Sequence, residues 1–161
     1  MNNFETTYKE NYRKMFYVAK KIVNDEDAIR DIIQEIFICY YEKIEQGIEI
    51  QAPKSWLIRA TINKCIDYIN RSKKYVKINA ISQIEEEETD TSINQSEIIL
   101  QQAISKLKPL EIKIVLLYSE NYSYKEISQI AEINFSSVGK TLSRTLKKLK
   151  SILEKLNYEM Y

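Results

Sequence analysis

The residues best suited to chemistry are basic and hydroxyl side chains near the C-terminus, in the stretch FSSVGKTLSRTLKKLK (135–150). From Phe135 to Leu153 there are five basic residues and no acidic one. Lysine and arginine neutralise phosphates and release counterions, so they bind nucleic acid whatever its sequence. Serine and threonine hydroxyls, with the free N–H groups at a helix start, can hold a phosphate or touch a base edge. Arg144 is the candidate for a bidentate bond to guanine.

These side chains need a helix-turn-helix to present them. Ser123 and Glu126 match the S-x-x-E capping box, which predicts a helix over Tyr124–Ala131. After a turn at Asn134, Ser136 is expected to cap a long helix, 137–156. Its inward stripe is expected to be Val138, Leu142, Leu146, Leu149 and Leu153. Two helices joined by a short turn are typical of DNA-binding proteins. Taken alone, the basic face could also be a solvated surface, but the capped helix-turn-helix before it favours DNA binding.

Composition restricts the fold class and excludes several functions. The chain has 161 residues, with only two glycines and two prolines, which favours an all-α fold over a sandwich or barrel. It contains no histidine, which removes the commonest general base and metal ligand. Cys39 and Cys65 lie in apolar helical patterns and are interpreted as core residues. No cofactor or metal site is predicted.

Three helices are predicted before the middle of the chain, at about 5–23, 26–44 and 53–74. Asn24 or Asp25 is expected to cap the second helix, and Pro53 suits the first turn of the third. Apolar residues surround most of the second helix, from Ala28 to Tyr41. One face can enter the domain core, and the surplus face needs another partner unless the core is simply rich in isoleucine.

Charge divides the chain into three parts. Residues 1–75 carry a net charge of +2, residues 76–97 of −5, and residues 98–161 of +4. The acidic stretch also lacks helical periodicity, so it is interpreted as a flexible linker between two small helical domains, 1–75 and 98–161. The N-terminus has no signal-peptide pattern and no apolar run could span a membrane, so a cytoplasmic protein is expected.

Two stretches in the first domain and one in the second resemble a known family. They are DEDAIRDIIQEIF (25–37), WLIRATINKCIDYINR (56–71) and LKPLEIKIVLLYSENYSYKEISQIAEINFSSVGKTLSRTLKKLK (107–150). They resemble bacterial RNA polymerase sigma factors of the extracytoplasmic-function type, in the sigma-70 family. The resemblance implies that 1–75 is sigma region 2, a bundle of three to four helices, and that 98–161 is sigma region 4, a helix-turn-helix domain.

The resemblance also implies roles for individual residues at the promoter. Region 4 would read the −35 element with Ser123, Tyr124, Lys125, Ser136, Ser137, Lys140, Thr141, Arg144, Lys147 and Lys148. Region 2 would read and melt the −10 element with Arg59, Asn63, Lys64, Asp67, Arg71 and Lys74. The loop 46–52 would hold an extruded base. The family's consecutive arginines are replaced here by NRSKK (70–74), which predicts weaker −10 contacts. An ion pair with Arg71 is the alternative role for Asp67.

The resemblance implies core RNA polymerase and promoter DNA as partners. The clamp of the largest polymerase subunit would be gripped by Asp31, Gln34, Glu35 and Ile38. The flap of the second-largest subunit would bind region 4. An anti-sigma factor or an accessory recruiting factor is a further expected partner, whereas a membrane and a small-molecule substrate are not. The acidic linker would enter the polymerase cleft as an RNA mimic or remain a solvated tether.

Three other classes of protein are favoured less by the sequence. A stand-alone dimeric helix-turn-helix regulator needs a dimer interface to space two recognition helices along DNA, and no long heptad seam lies outside the two domains. A sigma-like protein that binds polymerase or an anti-sigma factor without reading promoters is favoured only by the weak charge at Asn70 and Ser72. An enzyme is least favoured, because no nucleophile–base set, metal cluster or phosphate loop occurs.

Overall fold

The computed structural model describes residues 3–79 and 95–159. Within these ranges the protein is all-helical and has no strand, as the sequence predicted. Seven helices follow in order: α1 (Asn3–Lys20), α2 (Glu26–Glu45), α3 (Pro53–Asn79), α4 (Gln95–Ser105), α5 (Pro109–Ser119), α6 (Tyr124–Ala131) and α7 (Phe135–Glu159).

The N-terminal bundle consists of α1, α2 and α3, each packed against the other two. Asp25 caps α2, because its carboxylate accepts hydrogen bonds from the backbone N–H groups of Asp27, at 3.0 Å, and Ala28, at 3.2 Å. Pro53 is the first residue of α3, where its missing N–H costs nothing. The core side chains are completely buried, and Met15, Ile29 and Leu57 are among them. This core holds α3, the −10 candidate, at a fixed angle to α2.

Aromatic side chains form one flank of the N-terminal bundle. Phe4 and Tyr8 of α1 both contact the Phe37 ring of α2, with centroids 6.1 and 4.6 Å apart. Tyr40 continues this layer to Trp56 of α3, at 5.8 Å. Tyr8 is 40% exposed, because the rings overlap at the surface of the bundle. The layer braces the outer face of α2.

The C-terminal bundle consists of α4 to α7. The helix α7 packs against α4, α5 and α6, so it is the axis of this bundle. The α5 helix is apolar on most sides, with Ile112, Ile114, Leu116 and Leu117 buried. An apolar helix of this kind belongs in the centre of a bundle. The arrangement leaves one side of α7 free of neighbouring helices.

The two ends of the predicted linker, 76–97, are helical in the structure, although a linker without helix was expected there. The α3 helix continues to Asn79 and α4 begins at Gln95, so residues at both edges of the 76–97 segment are helical. Residues 76–79 (VKIN) contain none of the acidic side chains of that segment, and adding residues to an existing helix is easier than starting one, which explains the longer α3. The remainder of the expected linker, 80–94, lies outside the described residues. The domain boundaries stay predictions.

The last helix also begins earlier than predicted. It starts at Phe135, so Ser136 and Ser137 lie in its first turn, and the expected cap at Ser136 is wrong. Val138, Leu142 and Leu149 are buried as predicted, but Leu146 is 39% exposed. Thr145 is buried in its place, because its hydroxyl donates to the carbonyl of Thr141, at 2.7 Å, and needs no other partner.

The two bundles pack against each other through α3, which contacts both α5 and α6. Their buried side chains form one continuous apolar cluster. In the described ranges, no helix is both long and apolar enough to cross a membrane. Those ranges also contain no group of three or more potential metal ligands.

Candidate nucleic-acid interface

The helix-turn-helix is built by local hydrogen bonds. The Ser123 hydroxyl accepts the backbone N–H of Glu126 at 3.1 Å, and the Glu126 carboxylate accepts the backbone N–H of Ser123 at 2.8 Å. This is the predicted capping box. At the other end of α6, Glu132 adopts the left-handed conformation, with φ of 58°. Few residues other than glycine or asparagine do so, and here it turns the chain sharply into α7.

Most of the −35 candidates lie on one open surface. Eight of them are exposed: Ser123, Tyr124, Lys125, Ser136, Ser137, Lys140, Arg144 and Lys147. Thr141 and Lys148 are half-buried. The cations project from the side of α7 opposite its buried stripe, because the two sets alternate at helical spacing. The structure therefore leaves the predicted basic face of α7 exposed to solvent.

Lys148 differs from the other cations of α7. Its ammonium lies 3.0 Å from the Glu111 carboxylate of α5. Glu111 also accepts the backbone N–H of Lys108, at 2.7 Å. Partial burial acts to raise the pKa of the Glu111 carboxyl, but these two partners outweigh it and hold the pKa below its ordinary value. Lys148 therefore braces α7 against α5, and its charge is less available to a phosphate.

Sequence reasoning missed a contact between α6 and α7. Gly139 lies in the interior of α7, where glycine normally destabilises a helix. The Tyr124 ring covers this position, since a Cβ added there would lie 3.6 Å from Tyr124 Cε2. Close approach of the two helices places the 43% exposed tyrosine beside the basic face. The glycine in the middle of a helical pattern was the only signal in the sequence.

The −10 candidates follow α3 but differ in their partners. The Arg59 guanidinium lies 2.5 Å from the Glu132 carboxylate, across the two bundles. The Lys64 ammonium lies 3.0 Å from Glu35 of α2. Asp67, Arg71 and Lys74 are exposed and Asn63 is half-buried. The described side chains of Asp67 and Arg71 form no ion pair with each other, so the structural role considered for Asp67 has no support here.

A cleft of about 500 Å³ adjoins Arg59. The loop after α2 forms one wall with Ile48, Ile50 and Gln51, and Trp56 of α3 also lines it. Gly47 turns the chain into this loop with φ of 74°, which favours glycine. The loop was predicted from this glycine and Pro53.

Two residues of α6 form the opposite side of this cleft, and sequence reasoning missed both. They are Gln129 and Ile130, which follow the end of the loop by 77 and 78 residues. No local pattern connects α6 to the loop 46–52. The cleft therefore lies between the two bundles. Its lining combines apolar and amide side chains with the charged side chains of Lys43, Glu49 and Arg59.

The polymerase candidates share one exposed face of α2. Asp31, Gln34 and Glu35 are exposed, and the Ile38 side chain is 51% exposed. A second groove, of about 470 Å³, adjoins Gln34 and Ile38 and has aromatic walls from Tyr8 and Phe37. The surplus apolar face predicted for α2 is therefore present, with polar side chains at its rim. Such a face is suited to a partner helix.

The two cysteines do not form a reactive site. Cys65 is completely buried in the core, and burial raises the pKa of its thiol to about 12. A thiol that stays protonated is a poor nucleophile. Cys39 is half-buried, and both cysteines are free. Cys65 behaves as the small core residue that the sequence predicted.

Two family models match the chain in the order of its two bundles. The model described as Sigma-70 region 2 matches residues 7–75. The model described as Sigma-70, region 4 matches residues 97–149. The first contains α2 and most of α3, and the second contains the helix-turn-helix.

Curated relatives resemble the chain over most of its length. RNA polymerase sigma factor SigZ of Bacillus subtilis is 24% identical over 155 residues, which cover 94% of this chain and 88% of the relative. ECF RNA polymerase sigma factor SigM of the same organism is 27% identical over 146 residues, or 88% and 86% of the two chains.

A solved structure shares the fold. It is the sigma factor RpoE of Bartonella quintana, crystallised in complex with the anti-sigma factor NepR. The TM-score is 0.65, with coverage of 96% of this chain and 98% of that one, at 15% sequence identity. At this identity the likeness concerns the fold and the arrangement of helices.

Proposed function

Because the chain belongs to the extracytoplasmic-function type of the sigma-70 family and directs promoter-specific transcription initiation, we propose which of its surfaces perform each step. The basic face of α7 reads the −35 element. The α3 helix and the neighbouring loop 46–52 read and open the −10 element. The exposed face of α2 binds the clamp of core RNA polymerase.

The observation that carries this proposal is the exposed basic face behind a capped helix-turn-helix. Lys140, Arg144 and Lys147 are all exposed on α7. A recognition helix enters the major groove with its N-terminal half, where its side chains reach base edges. In that position Arg144 can bond to a guanine, while Lys140 and Lys147 neutralise phosphates. Ser136 and Ser137, in the first turn, add hydroxyl and backbone donors for a phosphate.

For promoter opening, the cleft beside Trp56 receives a base. Extruding a base costs a few kcal/mol, and a pocket that holds the unpaired base offsets this. The cleft offers an aromatic face, apolar side chains and the Gln51 amide. Stacking and hydrogen bonding to an unstacked base use these groups. Asp67, Arg71 and Lys74 lie farther along α3 and would contact the neighbouring strand. Opening then needs binding energy alone, with no bond made or broken by the protein.

Polymerase binding uses the α2 face. Ile38 supplies apolar contact, and Asp31, Gln34 and Glu35 supply the polar rim that fixes orientation. The C-terminal bundle is proposed to meet the flap of the second-largest subunit.

We place the protein in the cytoplasm, where RNA polymerase works. We assign it no catalytic activity, cofactor or metal, because a sigma factor contributes binding to promoter DNA and leaves RNA synthesis to the polymerase. By analogy with the Bartonella quintana complex, an anti-sigma factor is a proposed regulator, and an accessory recruiting factor is a further one.

One reconstitution tests the proposal. Purified protein is mixed with bacterial core polymerase that lacks any sigma factor, the complex is isolated, and transcripts from host genomic DNA are sequenced. A stoichiometric complex that starts RNA at sites sharing two spaced elements is expected. Complex formation without initiation would favour a sigma-like accessory. Absence of any complex would contradict the assignment and favour a stand-alone regulator.

A further inference from the structure

The last helix begins with an exposed aromatic side chain. Phe135 is the first residue of α7, and it is 62% exposed, more than any other large apolar side chain in the described ranges. A single exposed ring is common on protein surfaces, so its meaning depends on what surrounds it. Here the surroundings are the basic face and the first turn of a helix-turn-helix.

The side chains next to Phe135 are suited to a polyanion. Ser136, Ser137 and Lys140 follow within two turns, and all three are exposed. No acidic residue occurs between Phe135 and Leu153. The helix start adds N–H groups without partners inside the helix and the positive end of the helix dipole. Charge complementarity therefore favours DNA as the partner of this tip of α7.

Packing fixes the place of the ring at the open end of the helix. Val138, three residues on, is completely buried and anchors the first turn in the core of the bundle. The next residue on the side of Phe135 is Gly139, which has no side chain to lie beside the ring. The Tyr124 ring of α6 lies against that glycine, where an added Cβ would be 3.6 Å from Cε2. The first turn is thus held between the core and α6, with Phe135 pointing beyond it into solvent.

A phenylalanine ring can recognise one feature of the major groove. It has neither a charge nor a hydrogen-bonding group, so it gains nothing from a phosphate or from a polar base edge. Among the four bases only thymine presents a methyl group in the major groove, and an apolar side chain that covers this methyl removes it from water. The N-terminal residues of a recognition helix are the ones that reach base edges. The chemistry of Phe135 therefore selects thymine.

We propose that Phe135 reads a thymine of the −35 element through its 5-methyl group. The proposal rests on the −35 role given to α7 above and adds a determinant of specificity to it. Arg144 supplies the guanine contact and Lys140 a phosphate contact, whereas Phe135 supplies the preference for thymine. Phe135 and Arg144 are nine residues apart, which is about 13 Å along a helix, so they meet different base pairs.

Replacing thymine by deoxyuridine tests the contact, because it removes the methyl group and leaves the pairing groups unchanged. The duplex carries the −35 element that the transcript-sequencing reconstitution defines, with one thymine at a time replaced by deoxyuridine. Fluorescence anisotropy measures the affinity of holoenzyme for each duplex. The wild type should lose about three- to fivefold in affinity at one position, as expected for one buried methyl group. At that position Phe135→Ala should bind the thymine and deoxyuridine duplexes equally.

Two variants serve as controls. Leu146→Ala removes another exposed apolar side chain from the same side of α7, three turns farther on, and should keep the wild-type loss with deoxyuridine. Phe135→Leu keeps an apolar side chain and should keep part of the thymine preference. Circular dichroism confirms that each variant folds, and titration with core polymerase shows whether holoenzyme assembly is unchanged.

The outcomes separate the role of Phe135 from that of α7. A −35 element without thymine on either strand, equal binding of all duplexes by the wild type, or an undiminished deoxyuridine effect in Phe135→Ala would overturn the thymine contact. In the last case, weaker assembly of Phe135→Ala with core polymerase would assign the ring to the flap instead. Arg144→Ala tests the −35 role by itself. If it weakens binding while deoxyuridine has no effect, α7 reads the element without Phe135. If neither change has an effect, the −35 role of α7 fails together with the thymine contact.

Discussion

The ammonium of Lys64 lies 3.0 Å from a carboxylate oxygen of Glu35, so an ion pair joins α3 to α2. It connects the helix proposed to read the −10 element with the face proposed to bind polymerase. The two side chains are 44% and 63% exposed, so the pair contributes less than about 1 kcal/mol to folding. A change of Glu35 would therefore disturb both surfaces together. Asp31 and Gln34, on the same face, give a cleaner test of polymerase binding.

Changing Asp31 and Gln34 together to alanine should weaken binding to core polymerase by about tenfold or more, since a few interface residues carry most of the affinity. Both side chains are exposed, so the helical content of the free protein should not change. Fluorescence anisotropy against core polymerase and circular dichroism measure the two effects. Glu154→Ala, an exposed change on α7, is the control. An unfolded double variant would show that these positions are structural.

Arg144→Ala should weaken recognition of the −35 element by about 1–3 kcal/mol, or roughly 5- to 150-fold, because a bidentate contact to a base is lost. Discrimination at one base pair should relax most. Holoenzyme binding to a library of −35 variants measures this, with Lys155→Ala as the matched control on the same helix. If holoenzyme assembly fails instead, the face of α7 has been assigned wrongly.

Lys147→Ala should act on affinity without acting on specificity. An exposed lysine that neutralises one phosphate releases about one counterion on binding. The slope of log affinity against log salt concentration should therefore fall by about 1, equally for all −35 sequences. Titrations between low and moderate salt measure the slope. A change in base preference would mean that Lys147 reaches a base edge.

Glu111→Gln should destabilise the protein at neutral pH by about 1 kcal/mol, since the helix-start hydrogen bond to Lys108 and the ion pair with Lys148 weaken together. The folded pKa of Glu111 is depressed. Its stabilising contribution is therefore present above the unfolded pKa of about 4.3 and is lost as pH falls through the folded pKa.

Urea unfolding of wild type and Glu111→Gln at several pH values tests this linkage. The difference between the two free energies of unfolding should shrink below about pH 4. Glu154→Gln, a change at an exposed position of α7, should show no such convergence in stability. A constant difference at all pH values would contradict an ionic role for Glu111.

Ser123 has a structural role as a cap and a proposed role at DNA, and two substitutions separate them. Ser123→Ala removes the cap and should cost about 1 kcal/mol of stability. Ser123→Asp keeps a good cap, so stability should be retained, but it adds a negative charge beside the −35 face. In thermal unfolding, Ser123→Ala should therefore be less stable than the wild type and Ser123→Asp should not. In −35 binding, Ser123→Asp should lose affinity and Ser123→Ala should largely keep it. Retained DNA affinity in Ser123→Asp would place Ser123 away from the phosphates.

Signals between residues close together in the sequence were sufficient to predict most of the helices. Asp25 before an apolar periodic run, Pro53 at a helix start and the Ser123–Glu126 box each act within one helical turn. The start of α7 was placed two residues late, because by sequence Ser136 is as good a cap residue as Asn134, the residue that precedes the helix. Leu146 was expected to be buried, since a stripe with steps of three and four residues can pass through either Leu146 or its neighbour, and the structure buries Thr145.

The sequence by itself determined an all-helical chain, the order of its two modules, the capped helix-turn-helix and a basic face on the last helix. These follow from residues a few positions apart, whose spacing on a helix is known in advance. Only the tertiary structure decided that Arg59 meets Glu132, that Lys64 meets Glu35 and that Lys148 meets Glu111. The partners are 73, 29 and 37 residues apart. Such pairs depend on how complete helices pack, because helical periodicity carries no information on which distant side chain stands opposite.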